Sequence, residues 1–134
     1  MVKLTEEMKA VFSKLKIFPV ATSSKGGVPN VVPIANVQLL GDDTLWIGDN
    51  YMVKSAANVR ENPHCALYIY DPDVKRCFQI KGKVEVKTSG PEYDKMRTMI
   101  KAKNEKYPAK ALWVVKITDV FECTPGATAG KKVL

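Results

Sequence analysis

Leu4, Met8, Val11, Phe12 and Leu15 recur at three- and four-residue spacing, which predicts a helix over residues 3–16 with one apolar face. Thr5 is its expected N-cap, and Glu6 and Glu7 suit the positive end of the helix dipole. Past residue 16 the pattern turns extended. Ile17 to Ser24 reads as a strand ended by Lys25-Gly26-Gly27, Pro29 to Leu40 as a second closed by Gly41-Asp42-Asp43, and Thr44 to Gly48 as a third. Pro33 removes a backbone donor from the second run, so a bulge or a break in pairing is expected there. Met52 to Glu61 reads as a short helix stopped by Asn62-Pro63. His64 to Tyr70 is a buried-looking strand followed by the turn Asp71-Pro72-Asp73. From Arg76 to Thr88 the alternation is clean: Ile80, Gly82, Val84 and Val86 share one face, and Lys81, Lys83, Glu85 and Lys87 the other. Ser89-Gly90-Pro91 opens a third helix, with proline at its first position and Tyr93, Met96, Met99 and Ile100 as its stripe. Pro108 ends it, Leu112 to Cys123 forms a last strand, and a Gly- and Lys-rich tail follows.

Six strands in hairpins, with three helices inserted between them, are not a repeating βαβ pattern and disfavour a parallel doubly wound sheet. The expected fold is mainly β: a small six-stranded antiparallel barrel with flanking helices, whose closure also removes exposed edges. The chain has 134 residues, the span of a single domain over 1–134. With 46% hydrophobic and 26% charged residues it is composed like a globular protein rather than a disordered one. No apolar run reaches the roughly 18 residues of a membrane span. The first residues lack the apolar stretch of a signal peptide, so the cytoplasm is the expected location and no membrane partner is expected.

Charge and cysteines narrow the chemistry only a little. The formal net charge of +7 attracts anions without selecting among them. Of the 21 basic residues only Arg60, Arg76 and Arg97 are arginines, which argues against base-reading contacts with DNA. Cys65, Cys77 and Cys123 form no CxxC pair and read as reduced thiols. His64 is the sole histidine, so neither a structural zinc site nor a histidine-dependent nucleophile is indicated.

Two segments are candidates for binding. Gly48-Asp49-Asn50-Tyr51-Met52-Val53-Lys54-Ser55 runs from a strand into a helix, whose first N–H groups suit a phosphate, with Lys54 adding charge and Ser55 a donor. Val53 stands where a P-loop needs glycine, so this is no P-loop. Taken alone it reads first as a helix start with a solvated lysine. Pro29 to Asn36 is an apolar strand interrupted by proline and asparagine; where its pairing breaks, backbone groups become free for the edge of a planar heteroaromatic ring. The lysines at 101, 103, 106 and 110 are a solvated face or an anion-steering patch. Trp46 and Trp113 are core or interface residues, or flank an aromatic ligand.

Together these features resemble the FMN-binding split-barrel proteins related to pyridoxamine 5'-phosphate oxidase. The resemblance runs from about Val20 to Tyr70. It includes Ala21-Thr22, Gly26-Gly27 before Pro29-Asn30-Val31, and Lys54-Ser55-Ala56-Ala57-Asn58-Val59 with Asn62-Pro63 after it. More weakly it extends to Phe78-Gln79-Ile80-Lys81-Gly82 and the Gly90-Pro91-Glu92 helix start. It implies a six-stranded split barrel forming a homodimer, with non-covalent FMN in each of two clefts at the subunit interface. On that reading Val32, Pro33, Ile34, Ala35 and Asn36 meet the flavin ring, and Asp49, Asn50, Tyr51, Lys54 and Ser55 form the phosphate-binding stretch. Phe78 and Gln79 lie near the cofactor, contributed by the neighbouring subunit, and Trp113 is an interface candidate. The resemblance departs at the end of the chain: Gly130-Lys131-Lys132-Val133-Leu134 lacks the Arg- and His-bearing substrate site of the oxidases, so vitamin B6 oxidation is not expected. The implied activity is flavin-dependent oxidoreduction or electron transfer, with no catalytic side chain assigned. The alternatives are a deazaflavin (F420) oxidoreductase, its acidic tail met by the lysines, and a basic barrel that stacks single-stranded nucleic acid on its aromatics.

Overall fold

Strand alternation and helix caps act where the sequence places them. In a computed structural model, which describes residues 2–134, α1 spans Glu6–Ser13 and is capped by Thr5, whose Oγ1 accepts the Met8 N–H at 3.3 Å. The strands are β1 (Phe18–Ser23), β2 (Pro29–Ile34), β3 (Val37–Leu40), β4 (Thr44–Asp49), β5 (His64–Asp71), β6 (Arg76–Lys87) and β7 (Ala111–Glu122). Between them lie α2 (Lys54–Glu61) and α3 (Pro91–Lys103), the latter with proline in its first turn.

All pairings are antiparallel, in the order β2-β1-β5-β6-β7-β4-β3. The strand count is therefore seven where six were expected. The difference lies wholly in the run Pro29 to Leu40, which splits into β2 on one edge of the sheet and β3 on the other. The sheet curls so that these edges meet through continuous backbone rather than through hydrogen bonds. The break is not at Pro33, which stays in register opposite Pro19. An edge strand tolerates a missing N–H, so the proline costs no pairing. The chain departs instead at Ala35 and Asn36: Val37 N–H donates to the Ala35 carbonyl (3.0 Å), and Gly48 N–H to that of Asn36 (2.9 Å).

Val20, Ile47, Leu67, Ile69, Phe78, Ile80, Trp113 and Val115 fill the barrel interior, and α1 seals one end with Met8, Val11 and Phe12. A second cluster lies outside the barrel, where Met96 and Ile100 of α3 cover Trp46, Leu112 and Val114. This explains why all six residues of β4 are buried. Phe78 and Leu112–Val115 are thus covered within one chain, and Trp113, the interface candidate, is among them. Both tryptophans are buried, Trp113 fully, so neither offers a platform for stacking bases. Gly82 sits at a bulge in the β6–β7 pairing. A Cβ there would collide with Val115 Cγ1 and lie 2.9 Å from the Lys116 carbonyl oxygen.

Candidate functional site

The bend between β2 and β3 forms one wall of a cavity of about 500 Å3. Val32, Pro33, Ile34, Ala35 and Asn36 line this wall. As an edge strand, β2 pairs only with β1, so alternate backbone groups along its other side have no ladder partner. Gly48 adds a floor without a side chain; a Cβ there would collide with Ile100 Cδ1 and lie 3.3 Å from Asn36 Cβ. Helix α3 thus packs directly beneath the bend.

The opposite wall runs from Asn50 to Ser55. The buried Asp49 carboxylate shapes it, accepting the Met52 N–H at 2.9 Å and lying 3.7 Å from Lys110 Nζ. Val53 precedes α2 and supplies no side-chain cap, which leaves first-turn N–H groups of this helix without a side-chain acceptor. Lys54 is exposed at the first helical position and faces the cavity. Ser55 is 2% exposed, and its Oγ accepts from Asn30 Nδ2 at 3.0 Å, which leaves the hydroxyl proton free to donate. Thr22 Oγ1 accepts from both Asn30 (3.3 Å) and Asn58 (3.0 Å), locking α2 against β1 and β2.

Tyr107 closes the mouth, edge-on to Tyr51 with ring centroids 6.3 Å apart. Its loop is held from two sides. Asn50 Oδ1 accepts the Ala109 N–H (2.9 Å), Tyr93 donates its hydroxyl to the Ala109 carbonyl (2.8 Å), and Arg97 donates to that of Pro108 (3.0 Å). These contacts hold Ala109 at φ 43°, a left-handed conformation disfavoured for a residue with a Cβ.

Of the residues singled out in sequence, Val32 to Asn36, Asn50, Tyr51, Lys54 and Ser55 converge on this cavity. Asp49 supports it from beneath without lining it. Phe78 is 2% exposed inside the barrel, with no face left for a ligand. Gln79 points to the other side of β6, where its register neighbour is the exposed Tyr68. His64 does not line the cavity. Burial pushes the Cys65 thiol up to about 12, and burial together with the neighbouring Cys123 pushes Cys77 up to about 11, so neither is poised as a thiolate nucleophile. Sequence reading missed Thr22, Asn58 and Tyr107 as parts of the site. The first two are neutral polar residues within otherwise regular elements, and Tyr107 arrives from a loop 52 positions beyond Ser55.

The family model for pyridoxamine 5'-phosphate oxidase matches residues 4–124. An uncharacterized protein of Methanocaldococcus jannaschii, MJ0282, is 36% identical over 136 aligned positions that cover 98% of this chain and 89% of the relative. Among solved structures, HupZ of Group A Streptococcus superposes with a TM-score of 0.80 at 24% identity, covering 95% of this chain and 99% of its own. An FMN-binding protein of Syntrophomonas wolfei gives 0.70 at 18%, covering 90% and 85%. A protein described as F420 reductase gives 0.68 at 19%, covering 87% and 98%. At these identities the structural likenesses are likenesses of fold.

Proposed function

The chain belongs to the pyridoxamine 5'-phosphate oxidase family, and from that premise we propose that it is a flavoprotein holding FMN in the cavity at the β2–β3 bend and serving in oxidoreduction or electron transfer. One observation carries this reading: a single cavity joins the open edge of a bent strand to an uncapped helix start bearing Lys54 and Ser55. A flat ring with hydrogen-bonding edges suits the first, and a phosphate monoester suits the second. The volume of about 500 Å3 lies within the usual range of cofactor pockets, about 300–1,000 Å3. When bound, FMN would supply the redox chemistry. The protein's own residues bind and orient: the Lys54 ammonium, the Ser55 proton and the α2 N–H groups hold the phosphate, backbone of Val32–Asn36 meets the ring edge, and Tyr51 and Tyr107 limit water at the mouth. The cavity's titratable side chains are Tyr51, Lys54 and Tyr107. None is a carboxylate or a histidine, and no oxidation of vitamin B6 is proposed.

The proposal includes a homodimer. Ile17, Val31, Tyr68 and Tyr70 are exposed large hydrophobic residues beside Pro33, around a shallow hollow on the outer side of β1, β2 and β5. Val32 and Pro33 border both this hollow and the cavity. A second copy seated here would cover the open side of the cofactor site and bring its own Gln79 near it.

Exposed Lys103 and Lys106, close in sequence to Tyr107, favour F420 as the second reading, since its acidic tail would meet them. The test is the absorbance spectrum of the purified protein, with mass identification of any molecule released on denaturation. Release of FMN is expected. Released F420 would move the assignment to the deazaflavin. Colourless protein that takes up neither on titration would refute both.

A further inference from the structure

We propose that a second hollow, on the other side of the segment that opens α2, is a binding site for a small organic carboxylate with an apolar body. The hollow has a volume of about 370 Å3 and lies between α2, the end of β6 and the start of β7. It shares only Met52 and Val53 with the cavity described above. The proposal therefore does not rest on which cofactor that cavity holds.

Three donors reach this hollow from three elements. Arg60 projects from the last turn of α2, and its guanidinium enters no hydrogen bond or ion pair among the described residues. Thr88 brings a hydroxyl from just beyond β6. Lys110 comes from just before β7, with its Nζ fixed by a hydrogen bond to the Met52 carbonyl at 2.9 Å. Two cationic side chains thus line one hollow, and an anion placed there is attracted by both. Arginine's planar fork further suits the two oxygens of a carboxylate.

The charge balance selects the class of anion. Asp49 also borders the hollow, with Oδ1 taken up by the Met52 N–H and lying 3.7 Å from Lys110. Two cations and one carboxylate leave a net charge of +1, which a monoanion neutralises. A doubly charged phosphate would leave an excess of negative charge beside Asp49. The remaining lining is apolar. Val53 is 76% exposed and Val86 42% exposed, with Val59 beside them. Large apolar side chains left in water around a charged fork match a ligand with an acidic head and a hydrocarbon or aromatic body.

The probe is 2-naphthoate, with 2-naphthalenemethanol as the uncharged control, each titrated into isotopically labelled protein and followed by amide chemical shifts. Naphthoate should shift residues 53–60, 86–88 and 110–113 and bind about tenfold or more tightly than the alcohol. Arg60→Gln should weaken naphthoate by about tenfold or more, the loss of one charge-assisted contact, and leave the alcohol unchanged. Arg60→Lys, which keeps the charge but not the fork, should recover part of the affinity. Arg60 is exposed, so its replacement should leave the thermal midpoint and FMN uptake as they are. The proposal is overturned if naphthoate fails to bind at millimolar concentration, if the alcohol binds equally well, or if the shifts gather at residues 32–36 and Tyr107. Loss of FMN and naphthoate together in Arg60→Gln would also overturn it, by making the hollow part of the cofactor site.

Discussion

Lys54 carries the sharpest expectation at the scale of single residues. A charge-assisted hydrogen bond is worth roughly 1.5–3 kcal/mol, and each 1.4 kcal/mol is about tenfold in affinity. Lys54→Ala should therefore weaken FMN binding about 10- to 100-fold while leaving riboflavin, which has no phosphate, nearly unaffected. Fluorescence titration of both flavins checks this, and an equal loss for the two would remove Lys54 from the phosphate site. Lys103→Ala is the control, since its exposed charge is screened beyond about 8 Å at physiological salt. Gly82 tests the barrel rather than the site. Its absent Cβ accommodates the Lys116 carbonyl and Val115 across the bulge, and the carbonyl belongs to a paired strand that cannot swing aside. Gly82→Ala should cost about 1–3 kcal/mol, the range for overpacking, read from urea denaturation.

At the scale of elements, α3 acts as a brace. It packs on β4 across Gly48 and, through Tyr93 and Arg97, clamps the loop that carries Tyr107. Tyr93→Phe removes two hydrogen bonds, the one the hydroxyl donates to the Ala109 carbonyl and the one it accepts from Arg97 at 3.4 Å, each about 0.5–1.5 kcal/mol. Its effect should be local, with faster amide exchange at Tyr107 and Ala109 and little change in the barrel strands. The junction of α1 with the sheet depends on carboxylates. Lys14, at the end of α1, lies 2.8 Å from the buried Asp71 carboxylate and, by hydrogen bonding to it, holds that group below its usual range. Burial works to raise Glu122, but hydrogen bonds from Thr124 and the charge of Arg76 outweigh it and keep this carboxyl low as well. Arg76 also reaches Glu7 of α1 at 3.2 Å. Both carboxyls are depressed in the folded state. Their contribution is present above the ordinary carboxylate pKa of about 4 and is lost as pH falls through the lower folded values. Urea midpoints should therefore drop steeply below about pH 4, and Asp71→Asn should flatten that drop. An unchanged slope in Asp71→Asn would show that the ion pair does not govern acid stability.

The whole molecule poses the question of assembly. Ile17 at 55%, Val31 at 63%, Tyr68 at 47% and Tyr70 at 45% exposure form one face beside the cavity at the β2–β3 bend, and a stable interface buries about 1,200–2,000 Å2 in all. Sedimentation at micromolar concentration should show a dimer. Tyr68→Asp, which places a charge on that face without entering the cavity, should give monomer and weaker flavin binding. Monomer in the unaltered protein would refute the shared cleft while leaving the cavity's own contacts standing. A helix no longer than the 13 residues of α3 is the most the described chain provides, and none is long and apolar enough to cross a membrane.

What the amino-acid sequence determined by itself is what depends on near neighbours along the chain. Thr5 as a cap, Pro91 as a helix start, the turn at Gly26-Gly27 and the alternation of β6 all follow from short-range sterics and hydrogen bonding, and all stand where the pattern puts them. Only the tertiary structure decided what depends on distant partners. Pro33 keeps its register because β2 is an edge strand, a property of the whole sheet, and the chain parts at Ala35 and Asn36 because Gly48 receives the Asn36 carbonyl. Asp49 lies under the site rather than in it because Met52 and Lys110 claim its carboxylate. Leu112 to Val115 are buried on both faces because α3 and the barrel interior cover them, and Tyr107 reaches the cavity because Asn50, Tyr93 and Arg97 hold its loop there. In each case the deciding contact spans a separation over which local propensity carries no information.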